Sequence, residues 1–159
     1  MQIDAKELDN LKIKLNQFQN SLINTKPLML EIANHLHNIT VESFEKESSP
    51  DGKKWSPIEP NKKDPHPEKI LYQEGDLQGS LYSKATEDTA TVGVNAVSNG
   101  FQYPLTHQFG TKNAWGRGIV VPARPFLPID SNGNIYEGVE KEIMEIVDDY
   151  IELMSFKIN

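Results

Sequence analysis

The chain has 159 residues, is 37% hydrophobic and 25% charged, and carries a formal net charge of −7; that length supports one domain with a real core. It has no cysteine, which excludes disulfides, thiolate metal sites and cysteine nucleophiles, and no apolar run approaches the ~18 residues that would span a bilayer, so a soluble, intracellular protein is expected. The acidic excess sits almost wholly between Glu137 and Glu152, where seven acids accompany Lys141 alone, and a chain without a basic stripe is poorly suited to binding duplex DNA.

From Asp4 to about Ile23, Leu8, Leu11, Leu15, Phe18 and Leu22 recur at steps of three and four, which predicts a helix with one apolar stripe; Asp4 and Glu7 resemble a capping box at its start. Thr25 or Lys26 caps a second helix with Pro27 in its first turn, where the missing N–H costs nothing. Ile32, Leu36 and Ile39 form its buried side, and it runs to about Glu47. So short a joint predicts a packed pair.

Ser48 to Pro67 holds five of the ten prolines, an Asp51-Gly52 turn and Lys53, Lys54, Lys62 and Lys63. It reads as a long loop without regular structure. Trp55 within it needs a surface to bury against, on its own domain or on a neighbouring copy.

Glu74-Gly75-Asp76-Leu77 is a turn, after which Leu81 to Ala85 and Ala90 to Val94 alternate as two strands about Glu87-Asp88. Asn95 to Gly100 is a loop, Phe101 to Phe109 a short helix or turn, and Ile119-Val120-Val121 a further strand. One antiparallel sheet of three or four strands is expected. Tyr136 to about Met154 is helical, with Val139, Ile143, Ile146, Tyr150 and Leu153 on the buried side and the acids opposite. Helices at both ends of a small antiparallel sheet make an α+β fold.

Among chemistry-bearing residues, His35 and His37 stand about 200° apart on a helix and cannot share a metal. His66 lies between Pro65 and Pro67 with nothing near it to complete a site. His107 reads as structural or interfacial in preference to a general base. The acids of the last helix are a solvated face, since hydrolytic metal sites need acids converging from several elements. No phosphate loop, nucleophile elbow or His-Glu-x-x-His occurs, so neither catalytic residues nor a cofactor or metal is expected. Arg124, one of only two arginines, is bracketed by Pro122 and Pro125. A guanidinium so held suits a bidentate bond to a carboxylate, within the fold or across an interface.

The order Phe44, Asp51-Gly52-x-x-Trp55, Ile70-Leu71-Tyr72, Gly75-Asp76-Leu77-x-x-Ser80, His107-Gln108-Phe109-Gly110 and Pro122-Ala123-Arg124-Pro125-Phe126-Leu127, closing on an acidic helix, resembles the phage virion morphogenesis family. These are tail-completion proteins of tailed bacteriophages and prophages. The resemblance spans roughly residues 32–151, its last two motifs being the specific ones, and Lys62 to Pro67 falls in a loop that the family varies.

The resemblance implies a structural protein, not an enzyme, that finishes the tail and enables head-to-tail joining. It further implies a homo-oligomeric ring at the neck or tail end, of six subunits, with tail-tube or terminator and head-connector proteins as partners. The protein would be made in the host bacterial cytoplasm and then built into the virion. Ser48 to Pro67 would serve as an arm reaching a neighbour, received by the acidic helix, and an acidic lumen would suit a DNA conduit. A non-enzymatic protein-binding adaptor is the alternative, and a hydrolase built on His107 and acids a distant third.

Overall fold

The computed structural model describes residues 24–58, 69–71, 75–98, 100–114 and 116–156, with residues 12, 13, 15, 16, 19 and 20. In chain order the elements are α1 (Lys26–Lys46), α2 (Asp76–Gly79), β1 (Leu81–Ala85), β2 (Ala90–Val94), α3 (Tyr103–Phe109), β3 (Thr111–Ala114), β4 (Ile119–Val121) and α4 (Glu137–Phe156). This is an α+β fold.

The six described residues ahead of Asn24 are helical, but Leu15 is 54% exposed there, so it does not serve as a core position. Leu8, Leu11, Phe18 and Leu22 lie outside the described residues, and so does the expected helix pairing.

Helix α1 is the spine. Pro27 lies in its first turn and Thr25 occupies the N-cap, yet the Thr25 hydroxyl donates to Glu87 O in the β1–β2 turn and caps nothing. That bond ties the helix start to the hairpin. Leu28, Ile32 and Leu36 pack with Val139 and Tyr150 of α4, flanked by Ile39, Ile143, Ile146 and Met154 and by Val92 of the hairpin. Steps of three and four place these side chains on one stripe.

On α4 the buried stripe departs from expectation at its end, where Leu153 is 54% exposed and Met154 is turned inward. At about 100° per residue, positions 153 and 154 fall on opposite sides of Tyr150. The α1 contact selects between them. The seven acids face solvent, except that Glu142 reaches His35 of α1, Oε2 to Nε2, at 2.8 Å. That pair spans 107 residues and no local pattern announces it.

The far end of α1 carries a second core of Phe44, Trp55, Leu77, Ala96 and Phe126. Here α1 stops at Glu47 in the left-handed region, φ 50°, where a β-carbon costs about 1 kcal/mol. Three bonds hold Glu47 there: its N–H donates to Ser43 O, its carbonyl accepts from Trp55 N at 2.9 Å, and its carboxylate accepts from Ile70 N at 2.6 Å.

Strands β1 and β2 pair antiparallel from Leu81↔Val94 to Ala85↔Ala90, matching the expected hairpin residue for residue. The expected single sheet does not form. Strands β3 and β4 make a separate two-stranded ribbon. Helix α3 intervenes between the two pairs, and Ile119 and Val120 are 44% and 68% exposed, so no buried apolar face draws the ribbon onto the first sheet.

Candidate functional site

The motif residues of the chain's second half converge on the segment 122–129 and the helix α3 that precedes it. Gln108 is 2% exposed and its side-chain amide acts as a substitute strand. Its Oε1 accepts from Phe126 N and Leu127 N, both at 3.0 Å. Its Nε2 donates to Leu127 O at 3.3 Å and to Ile129 O at 3.1 Å. A segment with prolines at 122, 125 and 128 cannot run a full ladder of its own, and one amide bonds four of its backbone groups, of which Leu127 O also accepts from Ile129 N at 2.8 Å.

Arg124 works in the same way from the other side. It is buried, and its Nε donates to Ser56 O at 2.9 Å and its Nη2 to Pro57 O at 3.2 Å. The expected carboxylate partner is replaced by two carbonyls. The rigid fork of the guanidinium bridges two consecutive carbonyls where a lysine would reach one, and burial holds its pKa below the usual arginine range. Trp55 completes the staple: it is buried within its own chain, and its indole N–H donates to Pro125 O at 2.8 Å. This settles its two expected destinations in favour of its own domain and takes it out of any arm reaching a neighbour. Residues 59–68 lie outside the described ones.

Gly110 is required by geometry. Its φ is +70° and ψ 171°, and a β-carbon there would come within 2.7 Å of Ala123 N. Only glycine allows the chain to leave α3 and run this close to the Pro122 segment, an approach sealed by Arg124 N donating to His107 O at 2.7 Å.

His107 packs edge-on against Tyr103, ring centroids 6.1 Å apart. Its Nδ1 is buried and has no hydrogen-bond partner among the described residues. Burial, and then the charge of Arg124, holds its pKa below the ordinary 6.5. The folded state therefore resists a proton that the unfolded chain accepts. Stability is complete above about pH 6.5 and is lost as pH falls from there through the depressed folded value. Urea midpoints should accordingly drop between pH 7 and pH 5, and His107→Phe, which keeps the aromatic contact, should flatten that part of the profile. An unchanged slope in the variant would assign the effect elsewhere.

The staple stands behind an open cleft of about 210 Å³, walled by residues 93–97 on one side and by α3 with Phe126, Leu127 and Ile129 on the other. Val97 and Leu105 are each 55% exposed and Phe109 41% exposed at its mouth. Of the other motif residues, Leu77 is buried in the second core, Gly75 gives α2 its left-handed start at φ 79°, Pro122 is exposed, Pro125 is half-buried, and Tyr72 lies outside the described residues. No cluster of three metal-ligating side chains exists among the described residues. What the arrangement can do is hold an apolar group against a backbone pinned by side-chain hydrogen bonds. Sequence reasoning named Gln108 but not its clamp, and its one local signal is a polar residue set between aromatic neighbours on a helix too short to shed it to solvent.

The profile of the phage virion morphogenesis family matches residues 6–152. The chain is 26% identical, over 154 residues that cover 97% of it and 98% of the relative, to the Mu-like prophage FluMu G protein 2 of Haemophilus influenzae. No solved structure matches it.

Proposed function

The chain belongs to the phage virion morphogenesis family, and from that premise we propose that it is a structural, non-enzymatic subunit that completes the tail and permits head-to-tail joining. The observation that supports this reading is how the motif side chains are employed. Gln108, Arg124 and Trp55 all spend polar atoms on the main chain of the fold, leaving a cleft without charged lining and, among the described residues, no cluster of three metal-ligating side chains.

In this reading the protein is made in the host cytoplasm, assembles with further copies of itself into a ring at the neck or tail end, and there meets tail-tube or terminator and head-connector proteins. Six subunits is the number the resemblance implies. The acidic outer face of α4 would keep passing DNA from adhering if it lines the lumen.

Deleting the gene from an inducible phage that carries it, and viewing the lysate by electron microscopy, tests the role. Heads and tails should accumulate unjoined and be restored to whole particles by a plasmid copy. Normal particles from the deletion would overturn the proposal. The exposed apolar mouth of the cleft also suits a protein-binding adaptor, which light scattering separates: an adaptor stays monomeric where a ring subunit gives a discrete larger mass.

A further inference from the structure

Both small sheets leave a strand edge without a partner strand among the described residues, and the two edges are complementary. In the first sheet Asn95 N donates to Ser80 O at 3.1 Å and Thr86 N to Thr89 O at 2.8 Å. Bonded and non-bonded pairs alternate along an antiparallel ladder, so Tyr82 pairs with Gly93 and Lys84 with Thr91. Val92 and Val94 therefore turn their N–H and C=O groups outward. That outward edge leads into the apolar cleft, whose near wall is the continuation of β2 through residues 93–97.

The second sheet supplies a matching shape. Among the described residues no further strand covers β4, and its Ile119 and Val120 are 44% and 68% exposed. Successive strand residues point to opposite faces, so a β4 strand laid beside β2 would direct one of the two into the cleft. The cleft's 210 Å³ suits a branched aliphatic side chain better than a small-molecule ligand, for which pockets run about 300–1,000 Å³.

Charge agrees with this pairing. Residues 111–123 carry Lys112 and Arg117 and no acid. No charged residue lines the cleft, and the chain as a whole carries a net charge of −7. A ribbon with two basic residues and no acid is therefore favoured against a second copy, whose remaining charge is acidic in excess, over a like-charged approach.

We propose that the cleft beside β2 receives strand β4 of a second copy of this chain, which extends the β1–β2 sheet by main-chain hydrogen bonds while Ile119 or Val120 fills the cleft. Donor and acceptor are different patches of one chain, so the contact is head to tail and propagates into a ring or a filament. This inference rests on the reading of the protein as a self-assembling subunit and names its interface.

The absence of cysteine makes a clean cross-linking test available. Val120→Cys and Val97→Cys alter side chains that are 68% and 55% exposed, so neither disturbs a core. Mixed and oxidised, the two variants should give a disulfide-linked dimer in clear excess over Val120→Cys mixed with Met144→Cys, a control on α4 that is 54% exposed. In parallel, Val120→Asp should weaken self-association by about tenfold or more with unchanged circular dichroism and thermal unfolding.

Cross-linking no better than the Met144→Cys control overturns the interface. So does undiminished association of Val120→Asp, or an absence of any self-association. A protein that still forms a discrete oligomer without the Val120–Val97 cross-link leaves the ring reading standing and removes only this contact, and the deletion phage judges the tail-completion role independently.

Discussion

Gln108→Leu should destabilise the protein by about 3–5 kcal/mol, a large part of the total for a domain of this size. Leucine occupies similar volume, so the loss isolates the amide. Removing it orphans the N–H groups of Phe126 and Leu127 and the carbonyl of Ile129, while Leu127 O keeps its bond from Ile129 N, and each unsatisfied buried group costs about 1–3 kcal/mol when it cannot reach water. Partial opening of the segment toward the cleft lets solvent recover some of that cost, which is why the figure stays below the simple total. Urea unfolding of the two proteins side by side is the measurement, with the midpoint read at unchanged slope. A loss under about 1 kcal/mol would mean that the loop holds its shape without the clamp.

Phe126→Ala should cost a comparable ~3–5 kcal/mol by a different route. Phe126 is fully buried. Its ring lies 5.2 Å from Phe44, which in turn meets Trp55 edge-on at 5.9 Å. Truncation removes one end of that stack, takes from Phe44 its nearer ring partner and leaves a cavity between the end of α1 and the proline segment, and both are too constrained to collapse into it: one is a helix, the other is held by Gln108, Arg124 and Trp55. Phe109→Ala, one residue beyond the clamp but 41% exposed, should change stability by less than about 0.5 kcal/mol. Equal losses at the two phenylalanines would show that the cleft mouth, and not the stack, carries the stability.

These two residues also measure how far local reading reached. Helix α1, helix α4 and the β1–β2 hairpin were legible because apolar periodicity, a proline in a first turn and an acidic two-residue turn act over a few residues. Leu153 of α4 and Leu15, ahead of α1, mark the limit of that reading. Each satisfies the helical period, yet each is exposed, since periodicity defines a stripe and leaves its centre to whichever neighbour packs on it. The His107-Gln108-Phe109-Gly110 stretch stood out as a motif, but the burial of its polar member and the exposure of its aromatic one reverse what composition suggests. Only the path of the Pro122 segment across α3 explains that reversal.

By itself the sequence determined the α+β class, helices α1 and α4 and the β1–β2 hairpin, a chain without thiol chemistry, and the resemblance to a virion-assembly family that the comparisons bear out. The tertiary structure decided the rest: that Arg124 binds the carbonyls of Ser56 and Pro57, that Trp55 is a core residue, that His35 meets Glu142, and that among the described residues four strands divide into two ribbons with open edges. The physical reason is range. Propensity and periodicity are energies of neighbouring residues, whereas the bonds that shape the site join residues 18, 68 and 70 apart, and their partners are main-chain carbonyls and amides that every residue possesses and no sequence pattern distinguishes.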